Sequence, residues 1–229
     1  MDSDDHLRVH PRDLGPALVT AQEALAAVTA EVRSLLDDDP HRVMIGIAGP
    51  PGTGKSTFAL RVVERVGPVA AYVPMDGFHL ANAQLKRLGR FERKGAPDTF
   101  DVDGYRAALT RIAAAQGTQD VYVPDFDRAL EEPVAAGRVV PATVRLVVTE
   151  GNYLGLWDGV PELLTRLYYL DSERSVRRAR LIARHIAGGR SDDEARRWVD
   201  TVDEPNADLI ATTRARCDRI FEIVAPQQD

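Results

Sequence analysis

The sequence predicts an α/β protein, a three-layer α/β/α sandwich with a parallel five-stranded core sheet and a helical lid. The first observation behind this prediction is that short apolar runs alternate with helical patterns along most of the chain. Such alternation is typical of a parallel sheet covered by helices on both faces. The second is a glycine-rich octet at residues 49–56, which stands between a predicted strand and a predicted helix.

Residues 1–40 predict one amphipathic helix that packs on the core. Apolar side chains recur at alternating steps of four and three from Leu14 through Leu18 to Leu35, which places them on one helical face. Asp13 is the expected N-cap, and the acidic stretch ending at Pro40 stops the helix. Because the stripe lasts about three heptads, a coiled-coil seam between two copies is an alternative, and a homodimer stays open.

Residues 41–229 predict one domain, with a lid at residues 173–192. Apolar runs indicate its strands, at residues 42–48, 69–75, 120–123, 144–149, 167–170 and 219–224. Apolar residues at helical spacing indicate helices over 57–66 and 105–115, and an arginine-rich helix follows over 173–187. Residues 86–104 and 124–142 are rich in proline, glycine and charge, so we expect loops there, where substrate contacts usually lie.

Composition favours an enzyme that works in the cytoplasm on a small molecule. The chain has 229 residues, a formal net charge of −6 and one cysteine, Cys217. A single cysteine excludes an intrachain disulfide, and the acidic balance argues against a nucleic-acid partner. No apolar run approaches the roughly 18 residues of a membrane span, and the acidic start of the chain is unlike a signal peptide.

The octet reads Gly-Pro-Pro-Gly-Thr-Gly-Lys-Ser and fits G-x-x-x-x-G-K-[ST], the phosphate-binding P-loop pattern. Its glycines let the backbone approach a phosphate closely, so that successive N–H groups and the next helix N-terminus face the anion. Lys55 would place a positive charge on the β- and γ-phosphates, and the Ser56 hydroxyl would bind Mg²⁺. The predicted nucleotide-binding residues are Gly49, Pro50, Pro51, Gly52, Thr53, Gly54, Lys55, Ser56 and Thr57.

Acidic residues follow or end three predicted strands, at Asp76, Glu150 and Asp171. In parallel α/β sheets, ligands bind beyond the carboxyl ends of the strands. Phosphoryl transfer to an alcohol needs a base for the hydroxyl proton and carboxylates that hold Mg²⁺. Asp76 and Glu150 fit those needs, and both are predicted metal ligands together with Ser56. Asp171 is equally well explained as the cap of the next helix.

An arginine-rich helix gives the second strong signal. Arg177, Arg180 and Arg184 lie at i, i+3 and i+7, hence on one helical face, and Arg190 follows a Gly-Gly break. Cations beside a phosphate site would stabilise charge on the transferred group and exclude water when a lid closes. Such a helix alone is more often a solvated face, but beside a P-loop we interpret it as part of the site.

Together these motifs resemble the uridine kinase, pantothenate kinase and phosphoribulokinase superfamily of P-loop kinases. The resemblance rests on residues 49–56, 75–79, 99–101, 147–153 and 180–190. The sequence looks most similar to bacterial uridine kinase-like and fructose-transport-kinase-like proteins. This resemblance implies the P-loop NTPase sandwich, with ATP and Mg²⁺ as ligands and Asp76 as the catalytic base. It also implies that Glu150 helps hold Mg²⁺ and substrate, and that ATP phosphates are contacted by Arg180, Arg184 and Arg190.

The acceptor site is expected in the segments that follow the strands. Its candidate residues are Asp76, Phe78, His79, Asp125, Phe126, Asp127, Arg128, Glu150 and Asn152. Residues 123–128 read Val-Pro-Asp-Phe-Asp-Arg where uridine kinases carry an aromatic-rich Tyr-Asp-Phe segment, so the acceptor identity does not carry over. A local salt bridge within residues 125–128, a helix-start role for His79 and core packing of one phenylalanine are the alternatives.

The expected activity is transfer of the ATP γ-phosphate to a hydroxyl of a small metabolite, a nucleoside first and pantothenate or a sugar next. Its catalytic residues would be Asp76, Lys55, Arg180 and Arg184. The alternative of another class is a nucleotide-driven ATPase or switch that acts on a protein partner. A GTPase would need a guanine-reading Asn-Lys-x-Asp motif, which the sequence lacks.

Overall fold

A computed structural model of the chain describes residues 16–224, with a sheet of six parallel strands at its centre. The strands are β1 (Ala17–Thr20), β2 (Val43–Ala48), β3 (Ala70–Pro74), β4 (Val121–Asp127), β5 (Glu132–Val140), β6 (Leu146–Gly151), β7 (Arg166–Ser172) and β8 (Arg219–Val224). The sheet has the order β1-β8-β7-β2-β6-β3, and every neighbouring pair in it is parallel. Strands β4 and β5 form a separate antiparallel hairpin.

Helices cover both faces of this sheet. The α-helices of the described residues are α1 (Ala21–Asp38), α2 (Lys55–Val66), α3 (Asn82–Arg87), α4 (Val102–Ala114), α5 (Arg174–Ala187), α6 (Asp192–Trp198) and α7 (Glu204–Ala211). A π turn, Val199–Asp203, joins α6 to α7. The apolar faces of α1 and α2 pack on one side of the sheet, whereas α4 and the hairpin pack on the other. The predicted three-layer sandwich is therefore confirmed.

The start of α1 and the number of strands differ from the prediction. Leu18 was expected on the helix, but residues 17–20 extend and pair with β8, adding a sixth strand at the sheet edge. Thr20 is the N-cap instead: its hydroxyl accepts from the Glu23 N–H, and the Glu23 carboxylate accepts from the Thr20 N–H. This capping box fixes where the helix begins. The predicted N-cap Asp13 and Leu14 lie outside the described residues.

The hairpin also differs from the prediction, which placed a strand at 120–123 and a loop at 124–142. Strand β4 continues to Asp127 and pairs with β5 across a bulge between Val123 and Asp125. Pro124, Pro133 and Gly137 gave this segment the composition of a loop, yet antiparallel pairing tolerates proline at bulges and edges. The hairpin matters for function because residues near its tip reach the end of the main sheet.

Strand register brings the predicted chemistry to one edge of the sheet. Ala48, the last residue of β2, lies opposite Gly151, and Pro74, at the end of β3, lies opposite Glu150. The octet therefore begins where β2 ends, beside Asp76 and Glu150. This is the ligand-binding edge expected of an open parallel sheet. Among residues 16–224, no helix combines the length and apolarity needed to cross a membrane.

Candidate active site

The octet forms a tight loop between β2 and α2 that only glycine permits at its key positions. Gly49, Gly52 and Gly54 have φ of 148°, 83° and 91°, a region that disfavours side chains. A Cβ on Gly49 would lie 2.0 Å from the Leu170 carbonyl oxygen, so the loop passes directly against β7. Gly54 has open space around it and is the N-cap of α2. The loop therefore presents its backbone and the helix N-terminus to a cavity.

Lys55 is buried and is held inside this loop. Its Nζ donates a hydrogen bond to the Pro50 carbonyl at 2.9 Å, and the buried Thr53 hydroxyl donates to the same oxygen at 3.0 Å. Burial lowers the pKa of the Lys55 ammonium to about 8, and the negative charges of Glu150 and Asp76 offset only part of that effect. A buried cation bound to a neutral carbonyl is poised to receive an anion.

A cavity of about 590 Å³ lies at this edge of the sheet, between the loop, the hairpin and α5. It brings together most of the predicted site residues. Those that line it are Pro51, Gly52, Gly54, Lys55, Ser56, Thr57, Asp76, His79, Phe126, Arg128, Glu150, Asn152, Arg180, Arg184 and Arg190. Gly49, Pro50 and Thr53 lie on the inner side of the loop, where they shape it.

Three predicted acceptor contacts lie away from this cavity. Phe78 is buried in the core, with its ring edge-on to Tyr105 at 5.0 Å between centroids. Asp125 forms an ion pair with Arg138 across the hairpin at 2.9 Å. The Asp127 carboxylate accepts hydrogen bonds from two backbone N–H groups of the hairpin tip, at 2.8 and 3.0 Å. Packing and hairpin geometry account for these side chains, so we leave them out of the proposed acceptor site.

The two strand-end carboxylates occupy contrasting surroundings. Arg128 Nη2 donates to Asp76 Oδ2 at 2.6 Å. Burial acts to raise the pKa of Asp76, but His79 in its protonated form and the charges of Arg128 and Lys55 hold it below its usual range. Burial and the Asp76 charge raise the pKa of Glu150, against the pull of Lys55 and of a 2.7 Å hydrogen bond from the Tyr72 hydroxyl. Paired acids with opposite shifts are typical of sites with divided acid–base roles.

The oxygen ligands at this edge fit a magnesium ion. The Ser56 hydroxyl interacts with the Glu150 carboxylate, and Asp76 lies close enough to influence the pKa of Glu150. Residues 16–224 contain no cluster of three or more histidine, cysteine, aspartate or glutamate side chains suited to a metal. Mg²⁺ is commonly bound through one or two carboxylates together with substrate phosphates, so this sparse set suits it.

An aromatic wall stands beside Asp76. The His79 ring lies 3.9 Å from the Phe100 ring and 5.0 Å from the Phe126 ring, between centroids. His79 Nδ1 lies 2.8 Å from the Asp76 carbonyl oxygen, which can only accept, so Nδ1 carries the proton. Burial lowers the pKa of His79 despite the nearby Asp76 charge. The neutral ring therefore leaves Nε2 as a hydrogen-bond acceptor.

The arginine-rich segment forms a wall opposite the octet. Arg180 Nη1 lies 3.3 Å and 3.4 Å from two backbone carbonyl oxygens of the octet. Arg190 stacks at 3.7 Å on the Trp198 ring, and its Nη1 lies 3.3 Å from His185 Nδ1. Arg177 does not line the cavity: it is buried, with its Nε 3.8 Å from Asp171. The predicted arginine face is thus divided between a structural residue and the cavity-lining ones.

The structure adds residues that the sequence did not single out. Tyr72 on β3 bonds Glu150, and Lys94 and Asn82 line the cavity beside the hairpin. Alternation along β3 places Tyr72 and Pro74 on the same face, so a sign of Tyr72 was present in the sequence. Lys94 lies in a loop without periodicity, and nothing local marks it.

A parallel sheet with a P-loop after β2, an acid after β3 and an arginine-bearing helix facing the loop defines the class of P-loop kinases. The chain belongs to the phosphoribulokinase / uridine kinase family, whose model matches residues 44–228. It is 34% identical over 197 residues to a Schizosaccharomyces pombe protein named "Putative uridine kinase C227.14", covering 80% of this chain and 83% of that one.

Two other similar proteins have names that point to different substrates. A crystal structure titled "putative fructose transport system kinase", from Silicibacter sp. TM1040, superposes with a TM-score of 0.75 at 32% identity, covering 87% of this chain and 98% of that one. A pantothenate kinase from Nocardioides sp. is 34% identical over 131 residues, which are 53% of this chain and 39% of that protein. These relatives share the kinase class, and their names differ in the substrate.

Proposed function

We propose that this protein is an ATP-dependent kinase that transfers the γ-phosphate of Mg-ATP to a hydroxyl of a small metabolite. The observation that carries the proposal is that one cavity joins the phosphate-binding octet to an ionised carboxylate, Asp76, at the end of the next strand. A motor or switch has little use for a base in that position. Family membership supports the same class of reaction.

The proposed reaction assigns a task to each wall of the cavity. The octet N–H groups and Lys55 bind the β- and γ-phosphates, while Ser56 and the two carboxylates would hold Mg²⁺. When bound, the ion would neutralise charge that develops on the phosphate oxygens. Asp76 accepts the proton of the acceptor hydroxyl. At the same time the hydroxyl oxygen bonds to the γ-phosphorus, and the bond between that phosphorus and the ADP oxygen breaks. Arg180 and Arg184 stabilise the charge on the transferred group.

The class of acceptor follows from the aromatic wall. His79 and Phe126 offer flat apolar surface beside Asp76, which suits a nucleoside base, and one relative carries a uridine kinase name. A nucleoside is therefore our first acceptor. Pantothenate is the second, because the chain shares 34% identity with a pantothenate kinase over 131 residues, and a sugar is the third.

An ATP-consumption screen of the purified chain with Mg²⁺ tests this proposal. The acceptors are nucleosides, pantothenate, ribulose 5-phosphate and simple sugars, and Lys55→Ala is the control. One acceptor that raises turnover far above background, with loss of that turnover in the control, would establish the kinase activity. Slow hydrolysis that no acceptor accelerates would favour the alternative, an ATPase or switch that acts on a protein partner.

A conservative change at the base separates the two classes. Asp76→Asn keeps the shape and polarity of the side chain but cannot accept the hydroxyl proton. For a kinase we expect kcat to fall by about 10²- to 10⁴-fold while the dissociation constant for ATP changes little. Binding is measured with a non-hydrolysable ATP analogue. Undiminished phosphoryl transfer by Asp76→Asn would remove the basis of the proposed mechanism.

A further inference from the structure

Lys94 lines the cavity near the hairpin, and its ammonium hydrogen-bonds to neutral oxygens alone among the residues that the structure describes. Its Nζ donates to Asn82 Oδ1 at 2.8 Å and to the backbone carbonyl of Glu131. Within residues 16–224, Lys94 takes part in no ion pair. The side chain is half-buried, so water screens its charge less than it would on an open surface.

The same arrangement occurs on the nucleotide side of the cavity. Lys55 is bound to the Pro50 carbonyl, and Arg180 lies against carbonyl oxygens of the octet. Both cations face the space in which the proposed reaction puts the phosphates of ATP. A carbonyl oxygen satisfies an N–H group without neutralising its charge, so these side chains remain ready for an anion. Lys94 repeats this arrangement where the hairpin, rather than the octet, forms the wall.

Lys94 and a second cation, Arg128, both lie beside the Phe126 ring. Lys94 Nζ is 5.2 Å and Arg128 Cζ is 5.3 Å from the centroid of Phe126. Arg128 is neutralised by Asp76, whereas Lys94 pairs with no acidic side chain in the described part of the chain. Burial lowers the pKa of Lys94, and the more distant charges of Glu131 and Glu132 offset only part of the effect. This part of the cavity thus combines an apolar face with a cation whose direct contacts among residues 16–224 are neutral, although the Glu92 and Glu131 side chains also line the cavity.

We propose that the acceptor is an anion, and that Lys94 binds its carboxylate or phosphate beside the Phe126 ring. The proposal rests on the kinase activity proposed above, and among its acceptors it places acidic ones ahead of a neutral nucleoside. The acceptor would carry both a hydroxyl that reaches Asp76 and an acidic group, as hydroxy acids, sugar phosphates and nucleoside monophosphates do. A neutral nucleoside would bury Lys94 further without supplying a counter-ion, which is unfavourable. Lys94 is in this view a specificity-determining residue.

Matched acceptor pairs test the proposal directly. Each pair shares an acceptor hydroxyl with and without the acid: pantothenate and pantothenol, glycerate and glycerol, ribulose 5-phosphate and ribulose. We expect the chain to use the acid of one pair and largely to ignore its neutral twin. Carboxylate pairs and phosphate pairs distinguish the two forms of the anion.

Variants of Lys94 assign the preference to this residue. Lys94→Met should lower kcat/KM for the acid by about tenfold to a hundredfold, mainly through KM, and should not lower it for the neutral twin, because the variant has no charge to bury. Lys94→Arg keeps the charge and should retain most of the preference. The matched control is Lys86→Met on α3: this lysine is exposed, lies 5.0 Å over the Phe91 ring and does not line the cavity. The control should behave as the wild type.

The outcomes separate this proposal from the kinase activity itself. Equal use of a neutral twin, or an acid preference that survives in Lys94→Met, would overturn the anion site and leave the kinase intact. ATP consumption that no pair stimulates would count against the proposed function. In that case the melting temperature decides the anion site, measured with each acid and a non-hydrolysable ATP analogue. An acid should stabilise the wild type and not Lys94→Met, and stabilisation of neither overturns the proposal.

Discussion

The Arg128 guanidinium lies 2.6 Å from the Asp76 carboxylate, which joins the tip of the hairpin to the end of β3 across 52 residues of sequence. This ion pair has two consequences for Asp76, the base of the proposed reaction. It helps keep Asp76 ionised in spite of burial, and it occupies one of the two carboxylate oxygens. We therefore propose that Arg128 is a positioning residue for Asp76.

Removal of Arg128 should shift the acid limb of the pH profile. In the proposed reaction Asp76 acts as a base only when ionised, so kcat/KM should fall as the pH drops through its pKa. Burial acts to raise that pKa, and Arg128 is one of the charges that hold it down. In Arg128→Ala the acid limb of kcat/KM should therefore move to higher pH. The acid limb of Arg128→Lys should lie between those of Arg128→Ala and the wild type.

The control for this shift is another hairpin arginine. Arg138→Ala breaks the ion pair with Asp125 but removes no residue that lines the cavity. Its pH profile should match the wild type apart from any uniform loss of folded protein. An acid limb that stays in place in Arg128→Ala would show that Arg128 does not tune Asp76.

Local sequence patterns predicted the parts of the site that depend on chain neighbours. The octet, Asp76 and Glu150 follow or end buried strands, so the rule for parallel sheets predicts that they meet at one edge. The contacts of Arg128 with Asp76 and of Lys94 with Glu131 instead depend on how the hairpin folds onto the sheet. The sequence did not predict that hairpin, because residues 124–142 are rich in proline and glycine, and these residues occur both in loops and in irregular strands.

The edge strand shows the same limit. A stripe of apolar residues continues from the helix into residues 17–20, so periodicity alone extends α1 too far. The capping box at Thr20 and pairing with β8 decide the boundary. Residues 17–20 and β8 are about two hundred residues apart in sequence, so local propensity cannot predict that they pair.

Tyr72→Phe should raise the magnesium concentration that the reaction requires. The Tyr72 hydroxyl donates to Glu150 at 2.7 Å and thereby lowers the pKa of Glu150, which burial and Asp76 raise. Loss of the hydroxyl leaves Glu150 harder to ionise and so a poorer ligand for Mg²⁺. The magnesium concentration for half-maximal activity should rise a few-fold, most clearly at slightly acid pH, with little change in kcat at saturating Mg²⁺.

Tyr122→Phe is the matched control, because Tyr122 is 60% exposed on the hairpin and does not line the cavity. Its magnesium titration should superpose on that of the wild type. If Tyr72→Phe also titrated like the wild type at every pH, the hydrogen bond would have no part in tuning Glu150.

Lys55 should destabilise the nucleotide-free protein, so that Lys55→Met is more stable than the wild type although it is inactive. The pKa of Lys55 falls from 10.5 to about 8 on folding, because burial disfavours the charged form. The folded chain therefore binds its proton less tightly than the unfolded chain does. Stability is reduced at every pH below about 8, by at most about 3 kcal/mol, and the deficit disappears as the pH rises towards 10.5.

Urea unfolding without nucleotide measures this effect. At neutral pH we expect the free energy of unfolding of Lys55→Met to be about 1–3 kcal/mol higher than that of the wild type, since methionine fills the site without a charge to desolvate. From about pH 8 upward the wild type should approach the variant. Added Mg-ATP should stabilise only the wild type, because binding to the folded state alone raises the free energy of unfolding. Lys86→Met, at an exposed lysine, should show neither effect. A less stable Lys55→Met would mean that the bond to Pro50 outweighs the burial of the charge.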